Sequence, residues 1–305
     1  MSTPSPRATL RQLEYALAVA DDGTMAGAAG RLNVSQSAVS LAVADLERAL
    51  GVQLFTRRKA RGVAPTAAGL AMLPEIRSLL AQAGDLHSMA RNLGQGVGGT
   101  LVLGCYTTLT PYLVPRVLSG FPRRHSSVVI DLFEGSVEQV HERLLDGRCE
   151  VALMYETGIL PEVATTPLHT LRPCVIVPAD HRLARSDDPI RLVELRDEPM
   201  VMPDMPPSED LFREILGSAG VQPRVAMTTT TAESVRSLVA CGVGYSMVLH
   251  RPGPTTYAGL PLAYLEIADD VRGVDIVLAH ARSARLTRRA HAFADFCREG
   301  LTPSA

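Results

Sequence analysis

The chain has 305 residues, enough for two or three domains, and its 46% apolar and 20% charged residues are typical of a globular protein with sizeable cores. The formal net charge of −2 hides an asymmetry, because residues 1–66 carry eight basic and five acidic side chains and the remainder carries 22 basic and 27 acidic ones. No run of 18 apolar residues occurs, and the N-terminus lacks the apolar core of a signal peptide, so the sequence predicts a cytoplasmic protein without a membrane span.

After a first helix from Leu10 to Ala20, two helices joined by a tight turn are predicted. Thr24 is a suitable N-cap for the first of these, and Ser35 is one for the second. The second helix has one apolar face, formed by Val39, Val43, Leu46 and Leu50. Its opposite face carries Ser37, Leu41, Ala44 and Arg48, with Gln36 and Ser40 on the flank. A helix with small polar residues in its first turns can enter a major groove and read base edges.

Four blocks of sequence, in order and at fixed spacing, resemble the N-terminal domain of LysR-type transcriptional regulators. They are LxQLxY at 10–15, AGAAGRLNVSQSAVS at 26–40, LERALGVQLFTRR at 46–58 and PTAAG at 65–69. The resemblance continues more loosely to the C-terminus. It implies a winged helix-turn-helix over residues 1–66, a dimerisation linker helix over 67–93 and a two-lobed α/β effector domain over 100–305, similar to type 2 periplasmic binding proteins.

The predicted wing, VQLFTRRKARGVAPT, carries a cluster of basic residues at its tip. A run of charges usually marks a solvated surface, but beside a recognition helix contact with phosphates is favoured. The predicted DNA-binding residues are Thr24, Ser35, Gln36, Ser37, Ser40, Leu41, Arg48, Arg57, Arg58, Lys59, Arg61 and Thr66.

Leu41 departs from the family pattern, because many members carry Arg or another polar residue directly after the recognition-helix serine. A leucine cannot hydrogen-bond a base edge, although it can contact the methyl group of thymine. The alternative is that Leu41 packs against the protein. Both interpretations remain open at this point, and the operator sequence cannot be predicted.

Thr66 is predicted to cap a helix that runs to about Leu93 and bends near Pro74. Its apolar residues alternate in steps of four and three, the pattern of a coiled-coil seam. The predicted dimerisation residues are Met72, Ile76, Leu79, Ala83, Leu86 and Leu93. The alternative is a single helix lying on a domain surface, but so regular a seam favours a second chain, and the resemblance implies a homodimer that assembles into tetramers.

The segment GQGVGG at 94–99 is predicted to be a flexible joint. It matches the pattern GxGxxG, but it follows a helix and precedes a strand, the reverse of a dinucleotide-binding loop. From Thr100 onward, short β runs alternate with helices, which implies parallel sheets in two lobes. Lobe I is expected to comprise about 100–166 plus 271–305, and lobe II about 167–270.

Ligands of open α/β sheets bind beyond the carboxyl ends of the strands, here in the cleft between the lobes. Polar residues at these turns lie at predicted helix N-termini, which suit a small anion, although they could simply cap the helices. A tyrosine and a methionine would add apolar walls, which favours a small organic acid or an amino acid. The predicted effector-binding residues are Thr107, Thr108, Ser136, Tyr155, Met205, Thr230 and Thr231.

No catalytic motif, nucleotide loop or paired metal-ligand spacing is found, so the sequence predicts neither an enzyme nor a bound metal or cofactor. The five cysteines form no CxxC pair, so buried reduced thiols are expected. The resemblance places the cysteine of peroxide-sensing members in the loop MPDMPPSED at 202–210, which contains none, and this argues against a redox switch. A solute-binding protein would explain only the C-terminal two thirds, and an architectural DNA-binding protein only the basic segment. A DNA-binding regulator that responds to a small molecule uses every part of the chain.

Overall fold

The computed structural model describes residues 8–58, 62–91 and 97–300, with the side chains of all of these except 57–58 and 87–91. The N-terminal segment contains three helices followed by an antiparallel hairpin. These elements are α1 (Leu10–Asp22), α2 (Met25–Leu32), α3 (Gln36–Leu50), β1 (Phe55–Arg58) and β2 (Gly62–Pro65). They form the predicted winged helix-turn-helix, which is called the head below.

Local sequence signals account for the helices of the head. Thr24 accepts a hydrogen bond from the N–H of Gly27 at 2.9 Å, and Ser35 accepts one from Ala38 at 3.2 Å, so both cap their helices as predicted. Asn33 ends α2 with a φ of 53°, a left-handed conformation that asparagine tolerates. The three apolar faces meet in one core that includes Val19, Ala28, Val39, Val43, Leu46 and Leu54.

The linker helix α4 (Ala67–Arg91) begins as predicted, with the hydroxyl of Thr66 accepting a hydrogen bond from Gly69 at 3.0 Å. The structure corrects the predicted seam at its start. Ile76 is 4% exposed and belongs to the core of the head, and Met72 packs against the same core. The head therefore covers this part of the apolar face, whereas Leu79 and Leu86 are exposed. Leu93 lies outside the described residues.

Lobe I is built on one five-stranded sheet with the order β4-β3-β5-β12-β6. Its strands are β3 (Gly98–Tyr106), β4 (Ser127–Gly135), β5 (Val151–Tyr155), β6 (Val163–Leu171) and β12 (Val274–Ala281). Its helices are α5 (Thr110–Arg124), α6 (Val137–Leu145) and α9 (Arg288–Gly300). β3 runs parallel to β4 and β5, but β12 is antiparallel to its neighbours, so the sheet is mixed and not wholly parallel.

The lobe boundaries differ from those expected. β6 was not predicted, and because it pairs with β12 the first segment of lobe I extends to Leu171 instead of residue 166. Pro167 lies inside this strand, which is possible because β6 is an edge strand and the pairing shifts register opposite Ile276 and Val277. β3 starts at Gly98, so the last two glycines of the expected joint belong to the sheet.

Lobe II contains an antiparallel sheet of order β10-β7-β11 and a parallel pair, β8-β9. Its strands are β7 (Cys174–Pro178), β8 (Pro199–Pro203), β9 (Arg224–Thr229), β10 (Ser246–Val248) and β11 (Leu262–Leu265), and its α-helices are α7 (Ser208–Ser218) and α8 (Ala232–Ala240). A bridge between Met200 and Tyr245 links the two sets of strands.

Among the described residues, no helix combines the length and the apolar character needed to cross a bilayer.

Two arginines connect the linker helix to the rest of the molecule. Arg77 on α4 pairs with Asp21 at the end of α1 and donates to the carbonyl oxygen of Asp146 at 2.8 Å, so it touches the head and lobe I together. Arg289 on α9 pairs with Asp85 of the linker helix and with Glu150 just before β5, the latter at 2.6 Å. Arg289, Asp85 and Glu150 are all largely buried, so the loss of one partner would leave an unpaired buried charge.

Candidate DNA interface and effector cleft

The face of α3 that points away from the head core is exposed. Its exposed residues are Gln36, Ser37, Ala38, Leu41, Ala44 and Arg48. Ser40 lies half-buried on the flank, and Arg48 is paired with Asp45 at 2.6 Å, an ion pair that remains largely in solvent. This open face presents amide, hydroxyl and guanidinium groups, the chemistry with which a helix in the major groove reads base edges.

Leu41 is the exception on this polar face. Its side chain is 63% exposed, so it does not pack against its own head, and that interpretation of the sequence is wrong. The residues one turn before and after it are Ser37 and Ala44, both small and exposed. Leu41 therefore projects from the helix as an isolated apolar group.

The wing is held against the helices by backbone contacts. Gly62, with a φ of +81°, lies so close to the α1–α2 turn that a Cβ atom there would be 2.3 Å from the carbonyl oxygen of Gly23, which only glycine permits. Val63 donates to the same oxygen at 2.8 Å. Glu47 on α3 accepts from the N–H groups of Leu54 and Phe55 at 2.7 and 3.0 Å. Helix and wing therefore form one rigid unit.

The predicted basic contacts of the wing lie outside what the structure describes. Lys59 and Arg61 are outside the described residues, as are the side chains of Arg57 and Arg58 on β1.

The hydroxyl of Thr66 donates to the carbonyl oxygen of Gln53 as well as capping α4. Like Thr24 and Ser35, it therefore positions a helix N-terminus.

A narrow cleft, partly open to solvent, lies between the two lobes and contains a cavity of about 50 Å³. Lobe I contributes Thr108, Tyr112 and Tyr155. Lobe II contributes mainly apolar side chains and two basic ones, including Met205, Phe212, Val235, Arg236, Met247 and His250. The lining includes no carboxylate, so the cavity suits a mainly apolar molecule.

A histidine connects the two lobes at this cavity. The Nε2 atom of His250 lies 2.9 Å from the hydroxyl oxygen of Tyr155, and the imidazole stacks on the ring of Tyr112, with centroids 4.0 Å apart and planes 8° apart. Thr108 donates to the Tyr155 hydroxyl in a long hydrogen bond of 3.5 Å. Burial lowers the pKa of His250 to about 4, so the ring is neutral at pH 7.

Arg236 places a guanidinium in the cavity wall, and its charge is paired within lobe II. Its side chain is almost fully buried, with Nη1 paired to Glu233 at 2.6 Å and Nη2 donating to the carbonyl oxygens of Gly253 and Thr255. Within the described part of the chain, its Nε is buried and meets no acceptor. A buried donor without a partner is costly, so an acceptor supplied by a ligand would relieve this cost.

The structure places three of the seven predicted effector residues in the cavity lining: Thr108, Tyr155 and Met205. The other four do not line it. Thr107 donates to Glu134 at 3.1 Å, Ser136 caps α6, Thr231 caps α8, and Thr230 is exposed. For Ser136 and Thr231 the simple capping interpretation holds.

Sequence reasoning missed Tyr112, Arg236 and His250. Tyr112 and Arg236 lie within helices, His250 lies in the segment after β10, and none of the three belongs to a local motif. The Glu233–Arg236 spacing of three residues on one helix was the available signal, since it predicts an ion pair, but not the burial of that pair beside a cavity.

The cysteines take no part in this site. Cys241 is exposed, and the other four are buried. Burial raises the pKa of Cys105 and of Cys149 to about 12, so these thiols remain protonated and unreactive. Among the described residues, no group of three His, Cys, Asp or Glu side chains is arranged to hold a metal ion.

A winged head on a long helix that leads into two α/β lobes with a cavity between them defines a DNA-binding regulator with a ligand-binding domain. Comparison with known families agrees. Residues 10–70 match the bacterial regulatory helix-turn-helix protein, lysR family, and residues 94–302 match the LysR substrate binding domain. The chain belongs to the LysR family of transcriptional regulators, which are not enzymes, and this confirms the resemblance found in the sequence.

The relatives cover nearly all of this architecture. The chain is 32% identical to the HTH-type transcriptional regulator AlsR of Bacillus subtilis over 247 residues, 78% of this chain and 80% of AlsR. It is similar to the LysR family regulator HinK from Pseudomonas aeruginosa, with 30% identity, a TM-score of 0.65, and coverage of 96% of this chain and 99% of HinK. It also resembles full-length CbnR complexed with its target DNA, with 25% identity and a TM-score of 0.58. The match covers 95% of this chain and 99% of CbnR.

Proposed function

We propose that this regulator acts in the cytoplasm, and that a small organic effector bound between its two lobes controls its DNA binding or transcriptional activation. The main support is that both lobes line one cavity and meet there through His250 and Tyr155. A ligand in such a cavity has different affinities for the open and closed arrangements of the lobes, which is the condition for it to shift their equilibrium.

The cavity chemistry narrows the effector class. Apolar and aromatic side chains form most of the lining, and Arg236, whose buried Nε–H meets no acceptor among the described residues, supplies its guanidinium. A small, mainly apolar molecule with a single carboxylate fits this combination. An amino acid fits less well, because no lining carboxylate would balance its ammonium group.

In the DNA complex, the outer face of α3 reads bases through Gln36, Ser37, Ser40 and Arg48. The wing cations Arg57, Arg58, Lys59 and Arg61 contact phosphates, and the capped helix starts at Thr24, Ser35 and Thr66 position these groups. CbnR has been crystallised with its target DNA, and the likeness of the two chains supports this role.

The chain acts as a homodimer that assembles further into a tetramer. Leu79 and Leu86 form the exposed part of the linker seam, with Ala83 half-buried between them. Two exposed leucines at a spacing of seven on one helix favour a coiled-coil contact with a second chain. Two heads held together in this way bind two half-sites of one operator.

The effector hypothesis is tested by a thermal-shift screen against small carboxylates, amino acids and neutral sugars. A ligand that binds only the folded protein raises the unfolding midpoint. We expect carboxylates with an apolar body to give the largest shifts, Thr108→Val to abolish them, and Thr107→Val, whose hydroxyl lies outside the cavity, to retain them. A hit equally strong in Thr108→Val would refute the site, and a silent screen with intact DNA binding would favour an architectural DNA-binding protein without an effector.

A further inference from the structure

From the geometry of α3 we infer that Leu41 reads the 5-methyl group of a thymine in the major groove of the operator. The inference rests on the proposed DNA-binding role and names the base feature that one residue recognises. It starts from the observation that Leu41 is a large apolar side chain, 63% exposed, on the face of the helix otherwise made of polar or small residues.

The position of Leu41 on α3 suits a contact with a base. It follows Gln36, the first residue of the helix, by five positions, so it lies in the second turn, on the part of a recognition helix that enters the groove. Ser37 and Ala44, one turn to either side, are too short to prevent its terminal methyl groups from reaching the floor of the groove. The rigid attachment of α3 to the wing through Glu47 holds this orientation.

The chemistry of the groove then selects the partner. Guanine, cytosine and adenine present no methyl group in the major groove, whereas thymine presents its C5-methyl group beside the O4 acceptor. A leucine that covers a polar base edge displaces its water and returns no hydrogen bond, which is unfavourable. A leucine against the thymine methyl buries apolar surface on both partners. Leu41 therefore both selects thymine and disfavours the other bases at its position.

The test uses duplex DNA that the full-length protein itself selects from a random library, with each thymine then replaced by deoxyuridine, which lacks only the methyl group. In each half-site we expect a single replacement, at one particular thymine, to weaken binding about fourfold, the factor that corresponds to one buried methyl group. Replacement of any other thymine should have no effect. Fluorescence anisotropy measures the affinities.

The variant Leu41→Ala completes a double-mutant cycle. It should bind the thymine and deoxyuridine duplexes equally, because the partner of the methyl group is gone. Leu10→Ala removes another exposed leucine of the head, on α1, and should retain the full fourfold discrimination. The substitution at Leu41 truncates an exposed side chain, so the fold is preserved, and the deoxyuridine scan of the unaltered protein is an independent measurement.

The outcomes separate this inference from the function on which it rests. A selected operator that is indifferent to deoxyuridine, or a Leu41→Ala variant that discriminates as the parent does, would overturn the thymine contact alone. A selection that enriches no sequence would overturn sequence-specific DNA binding and the contact with it. Discrimination at one thymine in each half-site, lost only in Leu41→Ala, would establish the contact.

Discussion

The imidazole of His250 in lobe II lies between two tyrosines of lobe I, with its Nε2 atom 2.9 Å from the hydroxyl of Tyr155 and its ring stacked on Tyr112. This group of three rings connects the two lobes at the effector cavity. A ligand that enters between the lobes must either preserve it or replace it, so it is the natural place to test how the lobes are coupled.

Substituting His250 with Phe keeps an aromatic ring against Tyr112 but leaves the buried hydroxyl of Tyr155 with only its long contact to Thr108. We expect the free energy of unfolding to fall by about 1–2 kcal/mol, the cost of one lost buried hydrogen bond. Tyr155→Phe should cost a similar amount, and the double variant less than the sum. Urea denaturation of the four proteins measures this coupling, and strict additivity would show that the hydrogen bond contributes nothing.

The same histidine should make stability depend on pH. Its pKa is about 4 in the folded protein and about 6.5 when exposed, so the unfolded chain takes up the proton first. The free energy of unfolding is therefore highest above pH 6.5 and decreases as the pH falls toward 4. The decrease is about 2 kcal/mol between pH 6.5 and 5. His141 has a pKa lowered in the same direction by burial, so the measurement is the difference between the parent and His250→Phe. Parallel pH profiles for the two proteins would contradict this assignment.

Arg289 should be essential for attaching the linker helix to lobe I. Arg289→Met removes the cation and leaves Asp85 and Glu150 buried as unpaired carboxylates, which should cost about 3–5 kcal/mol of unfolding free energy. The matched control on the same helix is Arg298→Met, whose pair with Asp295 is exposed on both sides and should contribute little. Chemical denaturation compares the two variants, and equal effects would mean that burial of the Arg289 network is not stabilising.

The exposed end of the linker seam should determine the oligomeric state. Introducing charge with Leu79→Glu and Leu86→Glu together should dissociate the assembly, because two like charges would face each other across the seam. Leu160→Glu, which alters an exposed leucine of lobe I, is the control. Sedimentation velocity should show a lower mass for the seam variant alone, together with weaker operator binding. An unchanged mass would mean that the subunits associate through another surface.

The head could be predicted almost completely from the sequence because its signals are local. Ser35 caps α3 within three residues, and the spacing of Val39, Val43 and Leu46 identifies the buried face within two turns. The same periodicity predicted an apolar face on α4 but did not indicate what covers that face. Only the tertiary structure showed that Ile76 on this face is covered by the head of the same chain and that Leu86 is not.

The alternation of strands and helices also followed from the sequence, but β6 did not, because Pro167 argues against a strand unless the strand lies at an edge. The effector cavity depended still more on the tertiary fold. His250 meets Tyr155 across 95 positions of sequence. Tyr155 ends the buried strand β5 and His250 lies in the half-buried segment after β10, and neither stretch displays a motif that indicates the contact. Caps and apolar stripes arise from interactions between residues three or four apart, which a sequence displays directly. A cavity arises from how two lobes pack, and only the folded chain determines which side chains face it.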